Sequence, residues 1–316
     1  MSRRVKGDKT MMKSESKNKH FPICSNFKWH GIVALVLISA GIIALLLSPF
    51  GANMFNFDID FAGGTTLHYA VKIPADQTVQ NEIKQIVENA TGINVSSIQS
   101  TGDGTEVIIK TLEMDTTNRE KVFTALSERY GLTNEDRLGV DNVSSTVGKD
   151  MQKMAISASL LACFLILVYV TIRFDLRSGI AAIISLVFAI FVIISSYVVF
   201  QIPMNMNFIA AALTILGYSI NATIVVFDRI RENNKRPGKE PFPDIVDRSI
   251  WQTMARSINT SLTTIIMITM LIVFGVPSIQ SFGVTLLIGV VFGGYASVFL
   301  AGPIWAILLK KFPQKA

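Results

Sequence analysis

The sequence is short of charge and short of the residues that usually carry chemistry. Only 16% of its 316 residues are charged, while 50% are apolar, and the mean hydropathy is +0.45. Soluble domains carry charge on roughly a quarter of their residues, so this balance marks a membrane protein. Two cysteines are present, Cys24 in a basic tail and Cys163 in an apolar run, and neither a disulfide framework nor a metal-binding spacing can be built from them. His68 sits in an alternating stretch with no second histidine or cysteine nearby, which makes it a strand residue and not a ligand. No cofactor, metal or catalytic set is expected, and the chain is not expected to be an enzyme. Nor is nucleic acid expected among its partners.

Apolar runs near the length of about 20 residues needed to cross a bilayer are plentiful. Six stand out, at 31–50, 155–172, 179–200, 208–227, 258–275 and 282–309. The links QIPMNMN and VPSIQS, after the third and fifth runs, are short and uncharged, as in tight hairpins. The first run is too long for the core of a cleavable signal peptide, so it reads as a retained anchor. Lysine and arginine cluster in the other flanks. Eight lie in residues 1–30, Arg173 and Arg177 flank the turn after the second run, and seven lie between 229 and 256. Lys310, Lys311 and Lys315 end the chain. Basic flanks stay in the cytoplasm, which puts both termini there and residues 51–150 outside. The expected layout is thus a cytoplasmic tail (1–30), a first span (31–50), an extracytoplasmic domain (51–150), a five-span bundle (151–309) with a cytoplasmic loop at 228–256, and a second tail (310–316). Membrane lipids are its solvent.

Residues 51–150 break the membrane pattern and carry 15 acidic against 8 basic side chains. TTLHYAVKI (65–73) alternates as a strand does, and 76–90 holds Val79, Ile83, Ile86 and Val87 at helical spacing before Gly92. VSSIQS, TGDG and TEVIIKT follow as a hairpin, 117–130 as a second amphipathic helix closed by Gly131, and 138–147 as a last strand. The order βαββαβ is that of a small α+β, ferredoxin-like domain. The fold class is therefore an α-helical polytopic membrane protein of six spans with that domain inserted. Ahead of the first strand stands NFDIDFAGG, with Asp58, Asp60, Gly63 and Gly64. It lacks the spacing of a phosphate-binding loop and precedes a strand, so it reads as a tight bend whose glycines take positive φ.

Polar groups inside the spans are few. Thr214, Gly217 or Tyr218, and Asn221 fall on one stripe of the fourth, which also carries Thr223, and Arg256, Asn259, Thr260, Thr263 and Thr264 fall on a similar stripe of the fifth. Gly289, Gly293, Ser297 and Ala301 recur every four residues on the sixth, the spacing of close helix packing. A polar or ionisable group at membrane depth either packs helices together or marks a polar path, and for Asn221 and Arg256 both readings stay open. No Asp or Glu lies in the middle of any span. A transporter that moved protons unaided would keep a carboxylate there. Asp228, beside Arg229 and Arg231, lies only at the exit of the fourth.

Taken together, NFDIDFAGGT, SINATIVVFDRIREN, RSINTSLTT and FGVTLLIGVVFGGYASVFLAGPI, in that order, resemble the SecD/SecF family of bacterial protein-export membrane proteins, on its smaller, SecF side. The resemblance covers nearly everything after residue 28. It implies a fold shared with one half of resistance-nodulation-division transporters, a SecD-like partner facing this bundle across a pseudo-twofold axis, and association with the SecYEG channel. It further implies use of proton motive force to help preproteins across after the SecA ATPase has pushed them in. Asp58, Asp60, Gly63, Gly64, Asp228, Arg229 and Arg231 occupy family-motif positions. Many members place an aspartate implicated in proton passage directly after the asparagine of the fourth span, where this chain has Ala222. Arg256 matches an arginine thought to partner such carboxylates. These matches put proton chemistry in the partner, with Asn221, Thr223, Arg256, Asn259 and Thr260 as path and interface candidates. Two other readings are a structural partner that stabilises SecD outside the proton path, and a stand-alone exporter of small hydrophobic molecules. The exporter would need its own coupling carboxylate.

Overall fold

The computed structural model describes residues 22–47, 54–101, 104–235, 240–275 and 277–312. Most of the basic tail, residues 48–53 where the first span was expected to end, Gly102 and Asp103 of the hairpin turn, Arg236 and Lys239, Val276 and Lys315 lie outside the described residues.

After helix α1 (Phe27–Leu47) comes a four-residue helix, α2 (Ile59–Ala62), and then the small domain. Its elements are β1 (Gly64–Ala70), α3 (Gln77–Thr91), β2 (Val95–Thr101), β3 (Glu106–Thr111), α4 (Thr116–Tyr130) and β4 (Arg137–Val143). The strands form one antiparallel sheet in the order β2-β3-β1-β4, which is the ferredoxin-like arrangement. Each helix is bounded by its sequence. Asp76 accepts from the Val79 amide and Asp115 from the Asn118 amide at the N-termini, while left-handed Gly92 and Gly131 end them. Ile83, Val87, Val122 and Leu126 turn inward onto Leu67, Tyr69, Val107 and Ile109, all of them buried. His68, on the other sheet face, pairs with Glu106 of β3 at 2.9 Å.

Two strands are shorter than the alternation suggested. β1 stops at Ala70 because Lys72 turns to φ 62°, and β4 stops at Val143 because Ser144 caps the next helix. Near that turn, Asp136 takes hydrogen bonds from Lys72 Nζ at 2.7 Å and from the Thr133 amide at 2.7 Å. These donors, Lys72 foremost, hold its carboxyl at about 2, below the usual carboxylate range.

The remaining helices are α5 (Ser145–Arg173), α6 (Leu176–Phe200), α7 (Met206–Asn234), α8 (Phe242–Phe274), α9 (Pro277–Phe299) and α10 (Ala301–Lys311). Among the described residues six helical stretches are long and apolar enough to cross a membrane: α1, α5, α6, α7, α8, and α9 with α10 read as one. The expected loop at 228–256 is largely not a loop. α7 runs on to Asn234 and α8 starts at Phe242, so charged side chains there ride on helix extensions. Charge ends an apolar run without ending a helix, since Arg, Lys and Glu are good helix formers. Likewise α5 begins ten residues before its apolar part, and α9 begins at Pro277, inside the expected VPSIQS link.

The small-residue face of α9 meets α7. A Cβ on Gly289 would fall on the Ile215 side chain, and one on Gly293 would lie 3.3 Å from Ser219. Ser297 donates to the Ser219 carbonyl at 2.9 Å and receives from Thr223 Oγ1 at 3.0 Å. That buried hydroxyl cluster binds the two helices at close range.

Candidate functional site: a polar face on the fourth and fifth spans

The structure separates the sequence candidates into four places. Asn221 and Ala222 on α7 and Arg256 and Thr260 on α8 line one small cavity of about 60 Å³, together with Tyr218 and Ser257. Tyr218 Oη donates to Ser261 Oγ at 3.0 Å, and this bond between α7 and α8 fixes the rim. Thr260 Oγ1 returns to the Arg256 carbonyl at 2.9 Å, which leaves the guanidinium free of it. Asn221, Arg256, Asn259 and Thr260 are all exposed on the outer surface of the bundle, among lipid-length apolar helices. Among the described residues no carboxylate pairs with Arg256. Ala222 is half-buried in the same cavity, so the residue after Asn221 faces the arginine across it.

Thr223 does not belong to this group. It is buried on the opposite side of α7, its hydroxyl 3.0 Å from both Ser297 Oγ and the Ser219 carbonyl, the two acceptors within reach of its one proton. Two residues along a helix turn about 200°, so Asn221 and Thr223 cannot share a face. Thr223 packs helices.

The exit cluster is a third place, about 10 Å along the helix from Asn221. Asp228 pairs with Arg173 of α5 at 2.9 Å, and Arg231 donates to the Arg173 carbonyl at 3.2 Å. Arg229 donates to Gln252 of α8 and to Glu232, each at 2.6 Å. These exposed pairs knit the ends of three helices and are each worth under about 1 kcal/mol.

The fourth place lies at the far end of α7. The amide of Met206, first residue of α7, donates to Asp60 Oδ2 at 2.9 Å. Asp58 accepts from its neighbour Ile59 and takes Lys110 Nζ of β3 on both oxygens at 2.8 Å. Gly63 (φ +79°) and Gly64 (φ +153°) do make the expected bend. The bend admits nothing larger, since a Cβ on Gly63 would lie 2.7 Å from Ser145 Cα and one on Gly64 would strike the Thr111 carbonyl. Sequence reasoning missed Arg173 as the partner of Asp228, Ser257 in the cavity wall, and every partner of Asp58 and Asp60. Only Ser257, adjacent to Arg256, left a trace in the letters.

The fold and the site define a polytopic membrane subunit with a ferredoxin-like domain between its first two spans and a bare polar face on its fourth and fifth. The profile for "Protein export membrane protein SecD/SecF, C-terminal" matches residues 123–311. The protein translocase subunit SecF of Acidaminococcus fermentans is 38% identical over 301 residues, covering 94% of this chain and 100% of that one. The protein translocase subunit SecDF of Bacillus subtilis is 35% identical over 286 residues, covering 89% of this chain but 37% of that one. A crystal structure of SecDF from Thermus thermophilus, described as a translocon-associated membrane protein, superposes with a TM-score of 0.80 at 27% identity. It covers 93% of this chain, which spans only 39% of the SecDF chain. The chain belongs to the SecD/SecF family, and within it to the SecF protein translocase subunits.

Proposed function

We propose that this chain is the SecF half of a SecD/SecF complex in the cytoplasmic membrane, where it assists SecYEG- and SecA-dependent export of preproteins with proton motive force. Both termini are cytoplasmic and the ferredoxin-like domain is outside, an orientation supported by the lysines and arginines of the tails and of the extensions of α7 and α8. The single observation that carries the reading is the outward polar face of Asn221, Arg256, Asn259 and Thr260 on apolar helices. Asn221 and Asn259 are amides exposed within apolar runs, costly against hydrocarbon, and Arg256 stands beside them at the edge of the fifth run, so such a face favours a protein partner. SecDF chains join a SecF-like part to a longer remainder in one polypeptide, which supports SecD as that partner.

Ala222 leaves the cavity without a carboxylate of its own. In this reading the SecD half supplies it, Arg256 is its counter-charge, and Asn221 and Thr260 hydrogen-bond around it. An adjacent cation can shift such a group by about 1–3 pKa units, enough to set when the proton leaves. The test is export driven by an imposed proton gradient in vesicles holding the assembled complex. Arg256→Ala should lose about tenfold or more of the gradient-dependent rate while assembling normally. Normal export by that variant contradicts the reading. Ala222 also favours a second reading, in which the chain scaffolds SecD outside the proton path. Under that reading, Arg256→Ala changes assembly or nothing.

A further inference from the structure

The segment 56–60 reaches from the soluble domain to the membrane bundle and touches both through polar bonds. The Asp58 amide donates to the Met204 carbonyl at 2.9 Å, and the Met204 amide donates back to the Asn56 carbonyl at 2.7 Å. Asn56 Nδ2 donates to the Gln201 carbonyl at 2.9 Å. The bundle-side partners in these bonds, Gln201 and Met204, lie in the turn between α6 and α7. Just beyond, Phe61 is 3% exposed, packed among Ile193, Tyr197, Met204 and Phe208, and its carbonyl takes Gln152 Nε2 of α5 at 2.8 Å. On the domain side, Asp58 grips Lys110 of β3 in a largely buried pair.

Asp60 has the most specific place in this strap. α7 starts without a cap of its own, since the Asn205 side chain makes no capping bond. Asp60, 146 residues earlier, takes that role by accepting the Met206 amide. A carboxylate there satisfies an orphan donor and meets the positive end of the helix dipole. The helix so held is the one that carries Asn221 and Ala222 to the cavity. A cleft of about 190 Å³ opens beside the strap, lined by Asp58, Lys110, Ser97 and Pro203.

We infer that residues 56–60 mechanically couple the outer domain to the fourth span, with Asp60 as the positioning residue that fixes the N-terminus of α7. A displacement of the sheet pulls Lys110, then Asp58, then the α6–α7 turn, and so moves the helix that lines the polar cavity. The inference rests on the translocase reading only for its effect on export. Its structural part is measured separately.

The experiment uses the full chain assembled with its SecD partner, with Cys24 and Cys163 replaced by serine. Spin labels on Gln99→Cys in the sheet and Thr214→Cys on α7, both exposed, report the distance between domain and helix. Asp60→Ala should raise the undocked population roughly fivefold and broaden that distance distribution, with Asp60→Asn in between. Export should fall in parallel. Closing a disulfide between Phe57→Cys and Met204→Cys, the bridged pair of strap and turn, should restore export in the Asp60→Ala background and reduction should abolish it again. A merely structural defect would not follow the redox state. If Asp60→Ala prevents assembly, Asp60→Asn is read the same way. An unchanged distance distribution, or export that stays lost with the disulfide closed, overturns the inference.

Discussion

Replacing Lys110 with methionine tests how much the ion pair with Asp58 holds the strap to the sheet. Lys110 keeps 17% of its side-chain surface exposed and Asp58 only 9%, so solvent screens the pair poorly. Removing one partner of a buried pair leaves the other charge uncompensated at a cost of roughly 3–5 kcal/mol. Here the cleft of about 190 Å³ borders both side chains and can hydrate the stranded carboxylate, which argues for the lower end, about 3 kcal/mol. At about 1.4 kcal/mol per tenfold, that is roughly a hundredfold rise in local opening. Amide hydrogen exchange in the full chain reads it directly, at the β1–β3 ladder and at the Asp58 and Met204 amides. Asp58→Asn in the Lys110→Met background removes the stranded charge and should recover most of the protection. Exchange within about threefold of wild type for Lys110→Met, or a double variant no better than the single, refutes the reasoning.

Three further outcomes are expected. Because Lys72 and Thr133 hold the Asp136 carboxyl at about 2, below its unfolded value near 4, its stabilisation is complete above about pH 4 and drains as pH falls toward 2; the NMR shift of the Thr133 amide should titrate near that lower value, and Lys72→Met should move its midpoint upward. Gly289→Val drives a side chain into Ile215 and should destabilise the bundle by about 1–3 kcal/mol in thermal unfolding, with Ile215→Ala recovering part of the loss. Burial, then the neighbouring Asp247 carboxylate, pushes the Cys24 thiol up, so maleimide should label it about tenfold or more slowly than a cysteine at exposed Ser25.

How much was legible beforehand follows from what the letters encode. Apolar runs of membrane length locate spans because the bilayer imposes that length, and strand alternation and helix stops locate the ferredoxin-like elements because their periods differ. The helix ends were misjudged at 228–256 since hydropathy reports burial in lipid, whereas the helices of Arg229, Arg231 and Arg248 continue past it. Arg256 and Asn221 were found because charge and amides are conspicuous among apolar letters. Thr223 was drawn in by nearness in sequence, although its face packs on Ser297. The role of Asp60 was invisible, because its partner is a backbone amide of Met206, and a backbone group has no letter.

The central claim is that the polar face of α7 and α8 meets a protein partner inside the membrane. Site-directed cross-linking tests it most directly. Asn221→Cys and Asn259→Cys, in the chain without its native thiols, should cross-link to the co-expressed SecD half through its membrane helices. A cysteine at Leu161 on α5, itself exposed among apolar residues, should not. Failure of both polar-face positions to cross-link, in a complex that co-purifies intact, contradicts the account.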